Sequence, residues 1–210
     1  MKSLVPLILF LVVSLIFWIV IYRHLKSLNK KIPEYFKQIA EKYGLALDLH
    51  AQAGESNKVG NIVFPTAKGL YKNRQLTIGC SIKGGNKKTP QTYIKVECSN
   101  RHNLNFHIEK SGKNHKYLNN SSRVSLMDSE FDDKFIVLSN SPPLIISTFT
   151  FNVKYSLLQA LHLDFKGELK LENNILNYTE PVLMKNESSK TRIELLLHIM
   201  CDIADELEKV

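Results

Sequence analysis

Cys98, His102 and His107 come closest in this chain to the types and spacing of a metal set. A structural zinc site closes a tetrahedron with four thiolate or imidazole ligands, and no fourth ligand stands at a fitting interval. His107 also lies between Phe106 and Ile108, so a strand would turn it away from their face, toward solvent. Asp132 and Asp133 would supply paired carboxylates. Neighbours in a strand point to opposite faces, however, and acids at a strand entrance serve turns and caps. His162 and Asp164 lack a placed nucleophile, since no G-x-S-x-G is present. Gly84 and Gly85 lead into "NKKTP", which matches neither a phosphate loop nor G-x-G-x-x-G. No catalytic residue, metal ligand or cofactor-binding residue is therefore assigned.

The elements that would position any site are clearer. With 210 residues, 44% hydrophobic and 23% charged, the chain has the composition of a folded protein with one domain of ordinary size. Pro33 opens a short helix with Phe36, Ile39, Ala40 and Tyr43 at helical spacing, and Gly44 closes it. The connector over 23–32 is short or continues the preceding helix. Alternation at Leu45–Leu49, Leu76–Cys80, Tyr93–Cys98 and Leu104–Ile108 predicts half-buried strands joined by hairpins, and "KFIVLSN" predicts another. "SPPLIISTF" is a short helix or an extended crossover. "NVKYSLLQALHL" has helical spacing, and Asn173-Asn174 is a hairpin turn between two alternating runs. Thr191 and Glu194 have capping-box spacing ahead of an apolar stripe from Ile193 to Leu207, predicting a carboxy-terminal amphipathic helix of about 18 residues. The expected class is α+β, an antiparallel sheet packed by that helix.

The amino-terminal segment Leu4–Tyr22 has no group charged near neutral pH. Its length of roughly 28 Å as a helix predicts one transmembrane helix, and its bulky end lacks the small residues of a signal-cleavage site. Trp18 and Tyr22 suit a headgroup region, and Arg23, Lys26, Lys30 and Lys31 follow as a basic juxtamembrane stretch. The resulting layout is a tail at 1–3, a span at 4–22, a connector at 23–32 and a soluble domain at 33–210. The basic flank places that domain on the cytoplasmic side. Cys80, Cys98 and Cys201 are odd in number and irregularly spaced, which fits buried free thiols rather than a disulfide framework, with a Cys80–Cys98 strand-to-strand bridge as the minor alternative.

Charge is polarised along the chain. Residues 58–123 carry thirteen Lys and Arg against two acids, a net of +11, and residues 124–210 carry eight against fourteen, a net of −6. Lysines protecting hairpin edges, answered by the acidic half, account for this without a function. Basic hairpins facing anionic lipid headgroups account for it with one. Nucleic acid is not an expected partner, because the aromatic residues of the basic region are scattered singly and match no binding signature.

"YFKQIAEKYGL", "GLYKNRQLTI", "TYIKVEC", "EFDDKFIVLSN" and "IADELEKV" together resemble a group of uncharacterised bacterial membrane-associated proteins, in which a G-x-Y-x-x-R hairpin precedes an F-D-x-x-F-x-V strand. The resemblance implies fold and membrane association, and brings no activity. It implies a structural signature at Phe131, Asp132 and Phe135, two aromatic anchors with Asp132 holding the turn. "KNR" replaces a glycine-containing turn in that hairpin. The expected function is a single-pass, membrane-anchored, non-enzymatic binding or scaffold module. Its expected partners are the lipid bilayer, anionic lipid headgroups or a protein. A membrane-tethered, hydrolase-like enzyme with an unrecognised site is the alternative.

Overall fold

The computed structural model describes residues 5–49, 58–59, 62–83, 89–112 and 122–209. In chain order they form α1 (Val5–Tyr43), β1 (Ala46–Asp48), β2 (Lys58–Val59), β3 (Ile62–Val63), β4 (Thr66–Tyr71), β5 (Arg74–Lys83), β6 (Thr89–Glu97), β7 (Phe106–Lys110) and β8 (Ser122–Val124). There follow α2 (Ser129–Lys134), β9 (Phe135–Ser139), α3 (Pro142–Thr148), α4 (Phe151–His162), β10 (Glu168–Glu172), β11 (Ile175–Glu180) and α5 (Glu187–Leu207). The architecture is α+β. One antiparallel sheet has nine strands in the order β1-β4-β5-β6-β11-β10-β7-β9-β8, and β2 pairs with β3 apart from it. Gly84 and Gly85 lie outside the described residues.

The register lines up one residue from each strand in a row across the whole sheet: Leu47, Ala67, Ile78, Ile94, Tyr178, Leu169, Ile108, Val137 and Val124. Residues directly opposite in an antiparallel pair share a face, so this row defines a first face. Buried side chains of all five described helices join it in one hydrophobic core. The period-two patterns that predicted strands are this row and its neighbours.

The transmembrane helix expected over 4–22 is corrected. Among the described residues, no helix is long and apolar enough to cross a membrane. The described apolar run, Val5 to Tyr22, rises about 27 Å as a helix, short of the roughly 30 Å of bilayer hydrocarbon. The single-pass membrane localisation and the cytoplasmic placement fall with it, because the positive-inside rule orients spans.

The run is instead the first part of one helix that continues past residues 22 and 32 to Tyr43. Pro33 lies inside that helix rather than opening a new one. An interior proline costs about 3 kcal/mol, and burying Ile32 and Phe36 completely offsets it at about 1.5–3 kcal/mol for each side chain. Gly44 then takes φ +66° and lets Leu45 N–H donate to Ala40 C=O at 2.8 Å, ending the helix.

Two further expectations change in detail. The segment "EFDDK" is helical in α2 rather than part of the strand, which begins at Phe135. Helix α5 begins at Glu187, ahead of Thr191, and has 21 residues. Its capping box pairs Asn186 with Ser189: Ser189 N–H donates to Asn186 Oδ1 at 2.9 Å, and Asn186 N–H donates to Ser189 Oγ at 3.2 Å. Serine here does what Glu does in the commoner box.

Candidate functional site

Apart from half-buried Ser14, every residue from Leu9 to Tyr22 is exposed, with Trp18 at 71% and Tyr22 at 64%. An ordinary surface helix hides an apolar stripe and shows a polar one. This half of α1 shows apolar side chains on every side. Arg23, Lys30 and Lys31 follow on the same helix and are exposed, and Lys26 lies among them. The second half of α1 is tied to the domain: Lys42 Nζ meets Glu194 at 2.8 Å, Tyr43 Oη lies 3.1 Å from His198 Nε2, and Lys190 Nζ donates to Gln38 at 2.9 Å. The apolar half thus continues a helix whose second half is bonded to the domain.

Among the described residues, those weighed for chemistry do not gather into one metal-holding group. Asp132 holds the loop before α2, its Oδ2 accepting from Ser125 Oγ at 2.6 Å and its Oδ1 from Leu126 N–H at 2.9 Å. Asp128 caps that helix through Phe131 N–H, and its carboxyl is held below the usual range chiefly by this bond. Phe131 and Phe135 are buried and stacked at 4.7 Å between centroids. Asp164 pairs with Lys166 at 2.6 Å, while His162 is exposed at the end of α4. His107 is not the solvent-facing residue expected: its side chain is 8% exposed, on the second face of the sheet. Alternation assigns a residue to a face and does not reveal how deep that face lies.

All three cysteines are free and buried. Burial pushes the Cys80 thiol up to about 12, and the Cys98 and Cys201 thiols to about 11. These are inert thiols. Among the described residues, no group of three or more His, Cys, Asp or Glu could hold a metal ion.

Sequence reasoning missed the strongest buried polar network. Arg192 donates to both carboxylate oxygens of Glu180, at 2.9 and 3.0 Å, and to Leu163 C=O at 2.7 Å, while Tyr178 Oη donates to Glu180 at 2.8 Å. The three side chains are 3%, 1% and 0% exposed. Arg192 occurs on the apolar face of α5, and the signal was there: a charge on a buried stripe requires a buried partner.

Part of the basic hairpin block is answered by acids. Lys72 meets Asp202 at 3.6 Å, and Arg74 meets Asp205 at 2.8 Å and Glu208 at 2.7 Å. These acids sit at the end of α5, where the helix dipole disfavours negative charge, so the β4–β5 turn supplies the cations that this helix end lacks.

No family model matches the chain, and no match to a curated protein is found. Among solved structures, the chain is similar to the mycobacterial trehalose monomycolate transport factor A, TtfA, with a TM-score of 0.56 and 12% identity over 85% of this chain and 95% of that one. At that identity the likeness shows a shared fold.

Proposed function

We propose that this protein is a non-catalytic lipid-handling factor, which holds lipid against the exposed first half of α1. The single observation that carries this reading is an apolar helix exposed on all sides and mounted on a rigid domain. A protein partner docking on one side would leave the remaining apolar surface in water. Acyl chains pack around a helix from every direction and remove all of it, at about 25 cal/mol per Å². The basic residues after Tyr22 suit anionic headgroups at the end of those chains. The fold shared with a lipid-transport factor supports the same reading. The proposal needs contact with lipid, not passage through a bilayer.

Co-flotation with anionic phospholipid vesicles tests it. The full chain floats with the vesicles, and the variant carrying Phe17→Asp and Ile21→Asp stays in the dense fraction while its domain remains folded by circular dichroism. A wild-type chain that remains in the dense fraction at both low and high salt overturns the reading.

A further inference from the structure

All five described helices bury apolar side chains against the first face of the sheet. The second face is open where β4, β5, β6, β11 and β10 approach the β4–β5 and β10–β11 turns. Lys68, Thr77, Lys95, Asn177 and Lys170 lie opposite one another there, one from each of these strands. The next row toward the turns, two residues along in each strand, is Leu70, Gln75, Glu97, Ile175 and Glu172. All five residues of that outer row are exposed, as are Lys68 and Lys95.

The two rows differ in sign on the same strand. Strand β6 carries Lys95 and Glu97 on this face, with the buried Val96 between them pointing to the other. Among the described residues, Lys68, Lys95, Glu97 and Glu172 form no ion pair; Lys95 Nζ lies 5.5 Å from the centroid of the Tyr93 ring. Lys170 is already held by Glu168 at 3.1 Å, so the charges left open are those of β4, β6 and the end of β10. Leu70 and Ile175 are 65% and 40% exposed and stand on either side of Glu97 in its row. Leu70, Gln75, Glu97 and Ile175 also line a cavity of about 490 Å³ between the two turns, so incoming side chains can reach them.

The pattern of charge selects the partner. A uniformly anionic surface would meet Glu97 and Glu172 beside the lysines, and a uniformly cationic one would meet the lysines beside the acids. A second copy of this chain meets neither conflict. Consider a two-fold axis lying between two such faces and crossing the strands midway between the two rows. It lays each strand end for end over its own counterpart, so every residue of one row faces the residue two places away on the other copy. Lys95 then faces Glu97, and Glu97 faces Lys95. The same operation lays the Lys68 stem over Leu70, where its methylenes cover apolar surface, and sets Ile175 over Asn177. A two-fold contact requires a patch complementary to itself, and opposite signs two residues apart on one strand meet that requirement. Twisted sheets pack face to face with their strands nearly aligned, as this axis demands. We propose that the open part of the second face is a two-fold contact between two copies of the chain, closed by reciprocal Lys95–Glu97 pairs beside Leu70 and Ile175.

The contact uses no residue of α1 and is independent of the lipid reading. Sedimentation velocity tests it, on the full chain in a density-matched zwitterionic detergent, at low salt and over a dilution series. Wild-type protein is expected to form a dimer that dissociates on dilution. Lys95→Glu and Glu97→Lys each turn both attractive pairs into repulsive ones and weaken the dimer about ten-fold or more. Lys134→Glu, on α2, leaves it unchanged. Lys95→Glu combined with Glu97→Lys in one chain restores the dimer. The two single variants, mixed, form a dimer with each other, because each then meets the opposite sign; this recovery also shows that both are folded. The chain carrying Phe17→Asp and Ile21→Asp dimerises like wild type. A wild-type chain that stays monomeric throughout, undiminished association of Lys95→Glu, or no mixed dimer from the two single variants would overturn the proposal. So would loss of the dimer in the Phe17→Asp and Ile21→Asp chain, which would assign self-association to α1.

Discussion

Glu168 gives the molecule a pH signature that can be attributed to one side chain. The contact with His107, reinforced by Lys170, holds its carboxyl down to about 2 against the opposing effect of burial, from an ordinary 4.5. A carboxyl with a depressed folded-state pKa contributes stability that is complete above its unfolded value and disappears as the pH falls toward the folded one. Wild-type protein therefore loses part of its thermal stability between about pH 4.5 and pH 2 on account of this group. Glu168→Gln starts less stable at neutral pH and shows a shallower decline over that window, as followed by melting temperature against pH. An equally steep decline in the variant would assign the acid sensitivity elsewhere. Asp132 was legible at this scale from its place before a strand, because its role is local. The environment of His107 was not, because it depends on strands β9 and β10, which are remote in sequence.

At the scale of elements, the Arg192, Glu180 and Tyr178 network ties α5 to β11 and to the carbonyl after α4. Removing one member of a buried ion pair leaves the other charged and unpaired, which costs about 3–5 kcal/mol. Arg192→Met is expected to destabilise by that amount in urea unfolding. Adding Glu180→Leu recovers most of the loss, leaving the Tyr178 hydroxyl and the Leu163 carbonyl without these partners. If Arg192→Met costs less than about 1 kcal/mol, as a surface pair would, the network is not holding the elements together.

Most strands and the apolar face of α5 were legible because each depends on local periodicity. The Asn173-Asn174 turn was legible too, and Asn173 takes φ +55°. The β4–β5 turn lacks glycine, yet Lys72 and Asn73 both adopt positive φ, at 49° and 61°, to close a two-residue hairpin. The strand order was not legible. β11 lies between β6 and β10, and β7 pairs with β10, so two distant hairpins interlock through a register that local patterns do not contain. The start of α5 was misplaced because Ser189 closes the box at the position where Glu or Gln was sought.

At the scale of the whole molecule, one helix belongs to two environments. Its second half is packed against β4 and α5, and its first half shows apolar side chains to the outside. Apolar character in that half was plain from the sequence. Its continuity with the folded domain was not, because Pro33 resembles a helix start and is tolerated only through the burial of its neighbours. This continuity makes the exposed apolar surface part of the domain rather than an appendage.

Trp18 is the single tryptophan of the chain and lies one turn from the end of the exposed apolar run, so its fluorescence reports on that surface alone. The most direct measurement compares Trp18 emission of the full chain in vesicles of anionic lipid with that in vesicles of the same lipid brominated along the acyl chains. Bromine quenches on contact, and the account predicts strong quenching by the brominated lipid, with a blue-shifted emission in the unbrominated one. Equal emission in the two lipids, at the wavelength seen without lipid, would contradict it.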